Sequence, residues 1–317
     1  MKKTLIVVGA GASKDYCKVF PTGDELLKEI NYHFLTELKE PPVQEADGQY
    51  LSALMNEMHR VFPGIGKQMF AKVKNQIWNL QLAYEHALMR DKPQLRAPSV
   101  DRFISEAIAN GDLDAHAREL MKYTIAYLIK GAETAVAESA RGDTSNWVRE
   151  LFCGLRDFNM NQINERLRIV TFNYDRIFER SVGLYLNESG LDLARVFSHA
   201  YGSLGDLQNY SFELNNDKTE LMKGSYQSIL LIGEERNEWA YDHSDFEQVH
   251  FLGFGYDPEN MRLLGLPTDI GSDMRGSILK KSSNNEMPTN NKFGVHLHPV
   301  SGCIEYVRDV LIPSLKN

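Results

Sequence analysis

The segment GAGAS directly follows the apolar run Leu5–Val8 and has the residue types of a phosphate-binding turn. Glycines at the end of a buried strand let the backbone approach a pyrophosphate, and the N-terminus of the next helix favours negative charge. Lys14 stands where the third glycine of the dinucleotide fingerprint belongs, and Asp24 and Glu25 begin a predicted helix instead of ending a second strand. The pattern predicts either a phosphate site or a merely tight turn, and it disfavours an ordinary NAD(P)-dependent oxidoreductase. The residues of the segment are Gly9, Ala10, Gly11, Ala12 and Ser13.

The segment TFNYD follows a second apolar stretch and places polar side chains at the same kind of strand end. Because the carboxyl ends of parallel strands meet at one edge of a sheet, we expect Asn173 to lie near the glycine segment. Its amide can donate and accept hydrogen bonds, which suits ribose hydroxyls or a positioned water. Asp175 is interpreted either as a ligand-binding carboxylate or as the N-cap of the next helix.

Two further strand ends carry glycines. HAYGSLG begins at His199, which is interpreted either as a general base near neutral pH or as a core histidine bonded to the backbone. FLGFGYDPEN places Gly253 and Gly255 where a ligand needs room, with Asn260 nearby. Taken together, the four strand ends predict one ligand-binding cleft.

The elements that must position these residues follow from the spacing of apolar side chains. Short apolar runs bounded by glycines and polar residues predict strands at 4–8, 167–172, 195–201, 228–233 and 248–255. The prediction is an α/β, Rossmann-like fold with a mainly parallel sheet flanked by helices and a large helical insertion. Residues 1–40 plus 165–317 form the predicted Rossmann-like domain, and 41–164 form the insertion. The polar segment 279–292 is predicted to be a mobile surface loop.

The totals exclude several classes of protein. The 317 residues are 43% hydrophobic, which suffices for a substantial core, and the net charge of −8 argues against direct binding of nucleic acid. Three widely spaced cysteines, at Cys17, Cys153 and Cys303, cannot build a zinc ribbon, so no structural zinc is expected. No segment approaches the roughly 20 apolar residues that cross a bilayer, and the run after MKK is short for a signal peptide. We therefore expect a soluble cytoplasmic protein with no membrane partner.

The order of these segments resembles the sirtuin-like family. GAGAS, PTG, TFNYD, HAYGS and FLGFG follow one another along the chain, and PSVDRFISE at 98–106 is similar to a segment of the bacterial branch found in anti-phage defence. The resemblance covers residues 4–40, 98–106 and 167–260. It implies a Rossmann-like NAD site and cleavage of the bond between nicotinamide and ribose. Sirtuin deacylases carry a four-cysteine zinc ribbon, so this chain resembles instead the members that transfer the ribose to water.

The resemblance also implies roles for individual residues. Asn173 and His199 are the expected catalytic residues, with Asn173 holding the nicotinamide ribose or the attacking water. The expected NAD-binding residues are Gly9, Ala10, Gly11, Ala12, Ser13, Thr22, Thr171, Asp175, Tyr201, Gly253 and Gly255. The family usually has His directly before Gly at the third strand end, whereas Tyr201 precedes Gly202 here. The identity of the base therefore stays open among four side chains, with the first ranked highest: His199, Tyr201, His296 and His298.

The activity implied by the resemblance is that of an NAD glycohydrolase that depletes NAD in anti-phage defence, with NAD as its substrate and no other cofactor. An enzyme that destroys NAD must be inactive in a living cell until it is triggered. The expected partner is therefore a second copy of the chain, in a homo-oligomer, or a separate sensor or effector protein. The displaced histidine supports an alternative, a catalytically weak regulatory subunit that senses NAD or ADP-ribose.

Overall fold

The chain divides into two compact units in a computed structural model. Met1–Phe20, Ala135–Ala200 and Asn237–Asn317 form the first unit, and Pro21–Thr134 with Tyr201–Arg236 form the second. All strands named below belong to the first unit. The structure describes residues 1–38, 75, 100, 103–104, 107, 110–111, 115–139, 146–185, 190–205, 225–231, 234, 242, 245–266, 273–279 and 292–316.

Helices and strands alternate over much of the described chain. Several helices begin and end where the sequence favours it: an Asn159–Gln162 capping box precedes the helix at 160, and Asp257 caps the helix that starts at Pro258. In chain order the elements are β1 (Thr4–Val8), α1 (Ala10–Tyr16), α2 (Gly23–Leu38), α3 (Ala115–Ser139), α4 (Trp147–Leu155), α5 (Met160–Arg166), β2 (Leu167–Thr171), α6 (Ile177–Tyr185), α7 (Leu193–Val196), β3 (Phe197–His199), β4 (Gln248–Leu252), α8 (Pro258–Leu264), β5 (Asp273–Leu279), β6 (His296–Val300), α9 (Cys303–Tyr306), a π-helical segment (Val307–Leu311) and α10 (Ile312–Lys316).

A six-stranded parallel sheet in the order β3-β2-β1-β4-β5-β6 forms the centre of the first unit. β1 pairs with β2 from Thr4 against Leu167 and with β4 from Thr4 against Gln248. All five residues of β1, β2 and β4 are buried, as expected for strands covered on both faces by helices. The predicted α/β, Rossmann-like class with a mainly parallel sheet is confirmed. The order also has a switch point between β1 and β4, where such folds bind ligands.

The structure departs from two of the predicted strands. Within the described part of 228–233, Ile229 makes only an isolated antiparallel bridge to Gly202, and a turn occupies 225–228. No neighbouring strand extends this bridge into a ladder among the described residues, so the apolar run SILLIG does not form a strand there. The predicted strand 195–201 is shorter, because the Asp192 side chain caps α7, which continues to Val196.

Much of the predicted helical insertion at 41–164 lies outside the described residues. The described parts of that range include α3, α4 and the first residues of α5, and the proposed division into domains stays a prediction. The predicted surface loop lies outside the described residues from 280 to 291, while Leu279 ends β5. Among the helices that the structure describes, none is long and apolar enough to cross a membrane.

A buried hydrogen-bonded cluster connects β4 with the C-terminal helices. His250 is 0% exposed, its Nδ1 lies 2.9 Å from the Tyr306 hydroxyl, and its Nε2 lies 3.0 Å from Ser314 Oγ. Ser314 Oγ donates its own proton to the carbonyl of Leu311, so His250 Nε2 donates to Ser314 and Nδ1 accepts from Tyr306. The neutral imidazole therefore satisfies both of its nitrogens. Burial, with a smaller contribution from the Arg275 charge, lowers the pKa of His250 to about 3.

We expect His250 to destabilise the protein on acidification. The unfolded chain binds this proton below about pH 6.5, whereas the folded chain binds it only near pH 3, so the free energy of unfolding falls as the pH drops between these values. The slope from this one group approaches about 1.4 kcal/mol per pH unit. Urea unfolding of wild type and His250→Gln at pH 6.5 and 4.5 measures how much the free energy of unfolding changes with pH. The exposed His296→Gln variant is the control. Equal slopes in wild type and His250→Gln would contradict the assignment.

Candidate functional site

The four strands whose ends were predicted to form a cleft are neighbours in the sheet. Their order, β3-β2-β1-β4, brings the residues after Val8, Thr171, His199 and Leu252 to one edge, because the strands are parallel. The Phe172 N–H donates to the Val8 carbonyl at 2.8 Å and so carries the β1–β2 pairing one residue past the strand. Asn173 and the glycine segment are therefore brought together, as the sequence predicted.

The side-chain amide of Asn173 is held in one orientation. Its Nδ2 donates to the Gly9 carbonyl at 3.1 Å and to Ser13 Oγ at 2.6 Å, and Ser13 Oγ donates to Asp175 Oδ2 at 2.8 Å. Rotating the amide by 180° would set Oδ1 against the Gly9 carbonyl, which accepts but cannot donate, so the observed assignment is fixed. Ser13 and Asp175 were both predicted to bind NAD. Ser13 contacts Asn173 directly, and Asp175 is linked to Asn173 through its hydrogen bond with Ser13.

The opposite atom of that amide has no partner. Asn173 is only 6% exposed, and its Oδ1 is closed to solvent with no hydrogen-bond donor among the described residues. A buried acceptor without a donor costs about 1–3 kcal/mol, so native proteins seldom keep one without a reason. The main chain around it is ordered as well, since the Asn173 N–H donates to Thr171 Oγ1 at 3.1 Å. This oxygen is suited to accept a hydrogen bond from a ligand or water that enters the site.

Asp175 also caps the helix that follows it, which was its alternative interpretation. Its Oδ1 accepts from the Ile177 N–H at 3.2 Å, at the first residue of α6, while Oδ2 accepts from Ser13. One carboxylate therefore caps the start of a helix and orders the amide network at the strand edge. The N-cap interpretation is therefore confirmed, and ligand binding by Asp175 stays a prediction.

The glycine turn packs tightly against the end of β4. The Gly9 N–H donates to the Leu252 carbonyl and the Gly11 N–H to the Gly253 carbonyl, each at 3.0 Å. A Cβ on Gly9 would lie 2.7 Å from the Gly253 carbonyl oxygen, and one on Gly11 would lie 2.8 Å from the same atom. The protein's own backbone thus requires both glycines and uses both N–H groups. Pyrophosphate binding by residues 9–13 stays a prediction.

The loop after β4 adopts unusual backbone conformations. Gly253 has a φ of 54° and Tyr256 has a φ of 52°, in the left-handed region that a tyrosine rarely adopts. The Tyr256 hydroxyl is buried against Gly276 and has no hydrogen-bond partner among the described residues. Gly255 differs from its neighbours, because it is exposed and nothing lies within 4 Å of a Cβ placed on it. Strained backbone of this kind clusters at functional sites.

His199 is held by hydrogen bonds at both ring nitrogens. Its Nδ1 lies 3.0 Å from the main-chain carbonyl of Asn173, and its Nε2 lies 2.9 Å from Glu179 Oε1. The same Oε1 accepts from Arg176 at 2.9 Å. A carbonyl only accepts, so Nδ1 carries a proton, and Nε2 is occupied whether it donates to the carboxylate or accepts from the acid. In this arrangement the ring has no free lone pair with which to act as a base, and its catalytic role stays a prediction.

Electrostatics favours the doubly charged form of the His199–Glu179 pair. Burial opposes the charge on each, but the attraction and hydrogen bond of Glu179 outweigh it and raise the pKa of His199. Burial likewise works to raise the pKa of Glu179, yet His199 and Arg176 together lower it. Glu179 was not among the residues predicted from the sequence. The available signal was its i,i+3 spacing from Arg176 just after TFNYD, which places an acid in the first turn of α6.

Four further predicted residues lie on β6 or in the second unit. His296 and His298 lie on β6, which β1, β4 and β5 separate from β2, about 19 Å at the usual spacing of strands. Thr22 and Tyr201 belong to the second unit. There the Thr22 N–H donates to Glu25 Oε2 at 2.8 Å, as one half of a capping box for α2, and the buried Tyr201 accepts through its carbonyl from Leu230. Their NAD contacts stay predictions.

The described edge offers hydrogen-bonding and charged groups rather than a metal centre. Within the described ranges, no group of three or more His, Cys, Asp or Glu side chains is arranged to hold a metal ion. The arrangement combines an oriented amide with an open acceptor, a serine–aspartate pair behind it, and a histidine–glutamate pair beside it. Such a set can orient a hydroxyl or a water against an electrophilic carbon. No protein-family model, curated protein or solved structure matches the chain.

Proposed function

We propose that this protein is an NAD glycohydrolase: water adds to the nicotinamide ribose, and nicotinamide, ADP-ribose and a proton are released. The observation that carries the proposal is the Asn173 amide, whose Oδ1 is held in one orientation and has no donor within the described part of the chain. An acceptor of this kind suits the attacking water or a ribose hydroxyl. The proposal includes a cytoplasmic location, NAD depletion in anti-phage defence, and no direct contact with nucleic acid.

The sheet order supports a nucleotide ligand. Folds with the order 3-2-1-4-5-6 bind dinucleotides outside the carboxyl ends of their strands, where the order reverses. Here β1 and β4 flank that point, and Asn173 follows β2, the neighbour of β1. This support rests on the fold, which hosts many functions, so the chemistry must come from the side chains.

The reaction requires little nucleophilic assistance. The bond from ribose to a cationic pyridinium breaks through a transition state with oxocarbenium character, so the protein chiefly holds the ribose and aims one water. Asn173 Oδ1 accepts a hydrogen bond from that water or from a ribose hydroxyl, and Ser13 with Asp175 prevents the amide from turning. Positioning of this kind contributes by lowering the entropic part of the barrier.

The burial of the acceptor fits an enzyme that is inactive at rest. Asn173 Oδ1 is closed to solvent, so a ligand reaches it only after a covering group moves aside. We propose that assembly into a homo-oligomer, or a separate sensor or effector protein, favours the open form. NAD is then the substrate, and neither a further cofactor nor a structural zinc is part of the proposal.

Direct measurement of nicotinamide tests the proposal. Purified full-length protein at a series of concentrations is incubated with NAD, and free nicotinamide and ADP-ribose are quantified by chromatography. We expect equimolar release of both products, with a rate per molecule that rises with protein concentration. Absence of release at every concentration, with and without lysate from phage-infected cells as a source of activator, would overturn the proposal.

A second candidate function is favoured by the state of His199. Because both of its ring nitrogens are already bonded, His199 is not a free imidazole base. This state suits a subunit that senses NAD or ADP-ribose without consuming it. Isothermal titration calorimetry with NAD and with ADP-ribose distinguishes the two candidates. Stoichiometric binding of either ligand without release of nicotinamide would establish the sensor.

A further inference from the structure

We propose that Glu179 is a positioning residue that acts through His199: together they form an ionic clamp that fixes the main chain of Asn173, and His199 does not remove a proton from the substrate. This inference rests on the proposed function for its catalytic consequence, but the clamp itself can be tested without any turnover. It concerns the groups on both sides of the ring, which belong to the end of β2 and to α6.

The donor arrangement leads to this assignment. The Asn173 carbonyl is 3.0 Å from Nδ1 and can only accept, so the Nδ1 proton is required. Glu179 Oε1 is 2.9 Å from Nε2 and also accepts from Arg176, which is always charged. The permanent positive charge of Arg176 beside Oε1 favours the ionised form of the Glu179 carboxyl, which has no proton to donate to Nε2. Nε2 therefore donates as well, and the imidazole is a cation.

The groups that face the ring all support this charge state or balance it. Glu179 approaches from the first turn of α6, Arg176 from the turn before α6, and the Asn173 carbonyl from the end of β2. The His199 side chain is 10% exposed and that of Glu179 is 5% exposed, so water screens the pair weakly. Arg176 repels the imidazolium but binds the carboxylate between them, which leaves a chain of alternating charges.

The clamp adds a second anchor to the Asn173 amide. The side chain is fixed by Gly9 and Ser13, and the backbone of the same residue is fixed by Thr171 on its N–H and by His199 on its carbonyl. Oδ1 is thereby placed by contacts with the turn after β1 and with β2, α1 and β3. Removing the Nδ1 donor would free the carbonyl of Asn173, while a neutral donor of similar length would keep it in place.

The protonation of His199 is tested directly by NMR. Full-length protein with ¹⁵N-labelled histidine is titrated from pH 5 to 9, and His199→Gln identifies its signals. We expect both ring nitrogens of His199 to show protonated shifts at pH 7.5, above the ordinary histidine pKa of about 6.5. In Glu179→Gln this signal should change to that of a neutral ring by pH 7.5. A deprotonated ring nitrogen in the wild type at pH 7.5 would overturn the proposal.

Turnover separates a clamp from a base. Gln can donate to the Asn173 carbonyl, so His199→Gln should keep nicotinamide release within about 10-fold of wild type, whereas removing a general base costs roughly 10²–10⁴-fold. His199→Phe, which cannot donate, should lose much more, and Arg308→Gln, at an exposed position outside the site, serves as the control. A kcat that falls in His199→Gln as far as in His199→Phe would overturn the clamp. If the wild type releases no nicotinamide at all, the proposed function fails, and the NMR titration still decides the clamp.

Discussion

Replacing Asn173 by alanine is expected to reduce nicotinamide release from NAD by roughly 10²–10³-fold, the effect of deleting one preorganised polar group at a reacting centre. The substitution removes the oriented acceptor Oδ1 and also leaves the Gly9 carbonyl without its side-chain donor. The measurement is the initial rate of nicotinamide release at saturating NAD. Because the lost donor is buried, we also expect a loss of about 1–3 kcal/mol in the free energy of unfolding.

A second asparagine provides the control for this experiment. Asn159 caps α5 in a reciprocal capping box with Gln162 and is exposed, far along the chain from the glycine turn. Asn159→Ala should cost about 1 kcal/mol of stability and leave the rate of release unchanged. A comparable loss of stability in both variants, with slower release only in Asn173→Ala, would show that the loss of turnover is not caused by lower stability. Undiminished hydrolysis in Asn173→Ala would refute its role.

Replacing Gly253 by alanine is expected to have the largest effect on folding. The new Cβ would lie 2.1 Å from the Ala12 nitrogen, and a φ of 54° is unfavourable for alanine. The left-handed conformation costs about 1–2 kcal/mol, and displacing packed backbone adds about 1–3 kcal/mol. Urea unfolding should therefore show a loss of several kcal/mol or no cooperative transition.

Gly255 is the matched glycine in the same loop. Nothing lies within 4 Å of a Cβ placed there, and its φ is not positive, so Gly255→Ala should leave the free energy of unfolding within about 0.5 kcal/mol of wild type. Equal stability of the two variants would contradict the close packing of the glycine turn on β4. Titration of Gly255→Ala with NAD also tests the ligand site. If NAD lies against the backbone at Gly255, as predicted, the added methyl group should weaken its binding.

The sequence predicted the part of the sheet whose strands are uniformly apolar. β1, β2 and β4 are short runs buried on both faces, and each ends at glycine or polar residues. β5 was not predicted, because DMRGSIL contains Asp273 and Arg275, which pair with each other and remain partly exposed. Conversely, SILLIG at 228–233 has the composition of a strand but lacks a partner that extends its bridge at Ile229 within the described chain. Partner strands are a tertiary property that local composition does not encode.

The candidate site was predictable where it depends on strand order. Parallel strands bring Asn173, Ser13 and Asp175 to one edge, as their positions after apolar runs indicated. The i,i+3 spacing of Glu179 from Arg176 was visible in the sequence but did not identify its contact with His199, because an acid in the first turn of a helix is also the common choice for interaction with the helix dipole. Position 9 also requires glycine because its backbone lies close to the carbonyl of Gly253. This requirement was likewise not predictable, since the contact depends on how β4 packs beside β1.

The position of β1 at the centre of the sheet has a consequence for folding during synthesis. β1 is made first, but its two neighbours begin at Leu167 and Gln248, so at about 5–20 residues per second the second partner emerges roughly 10–50 s later. The sheet must grow outward from its middle, first through β2 and β3 and afterwards through β4, β5 and β6. Until then, an apolar strand with two unpaired edges is available for wrong pairing on the ribosome. The nascent chain therefore has a long interval in which a chaperone that shields short apolar segments would raise the yield of folded protein.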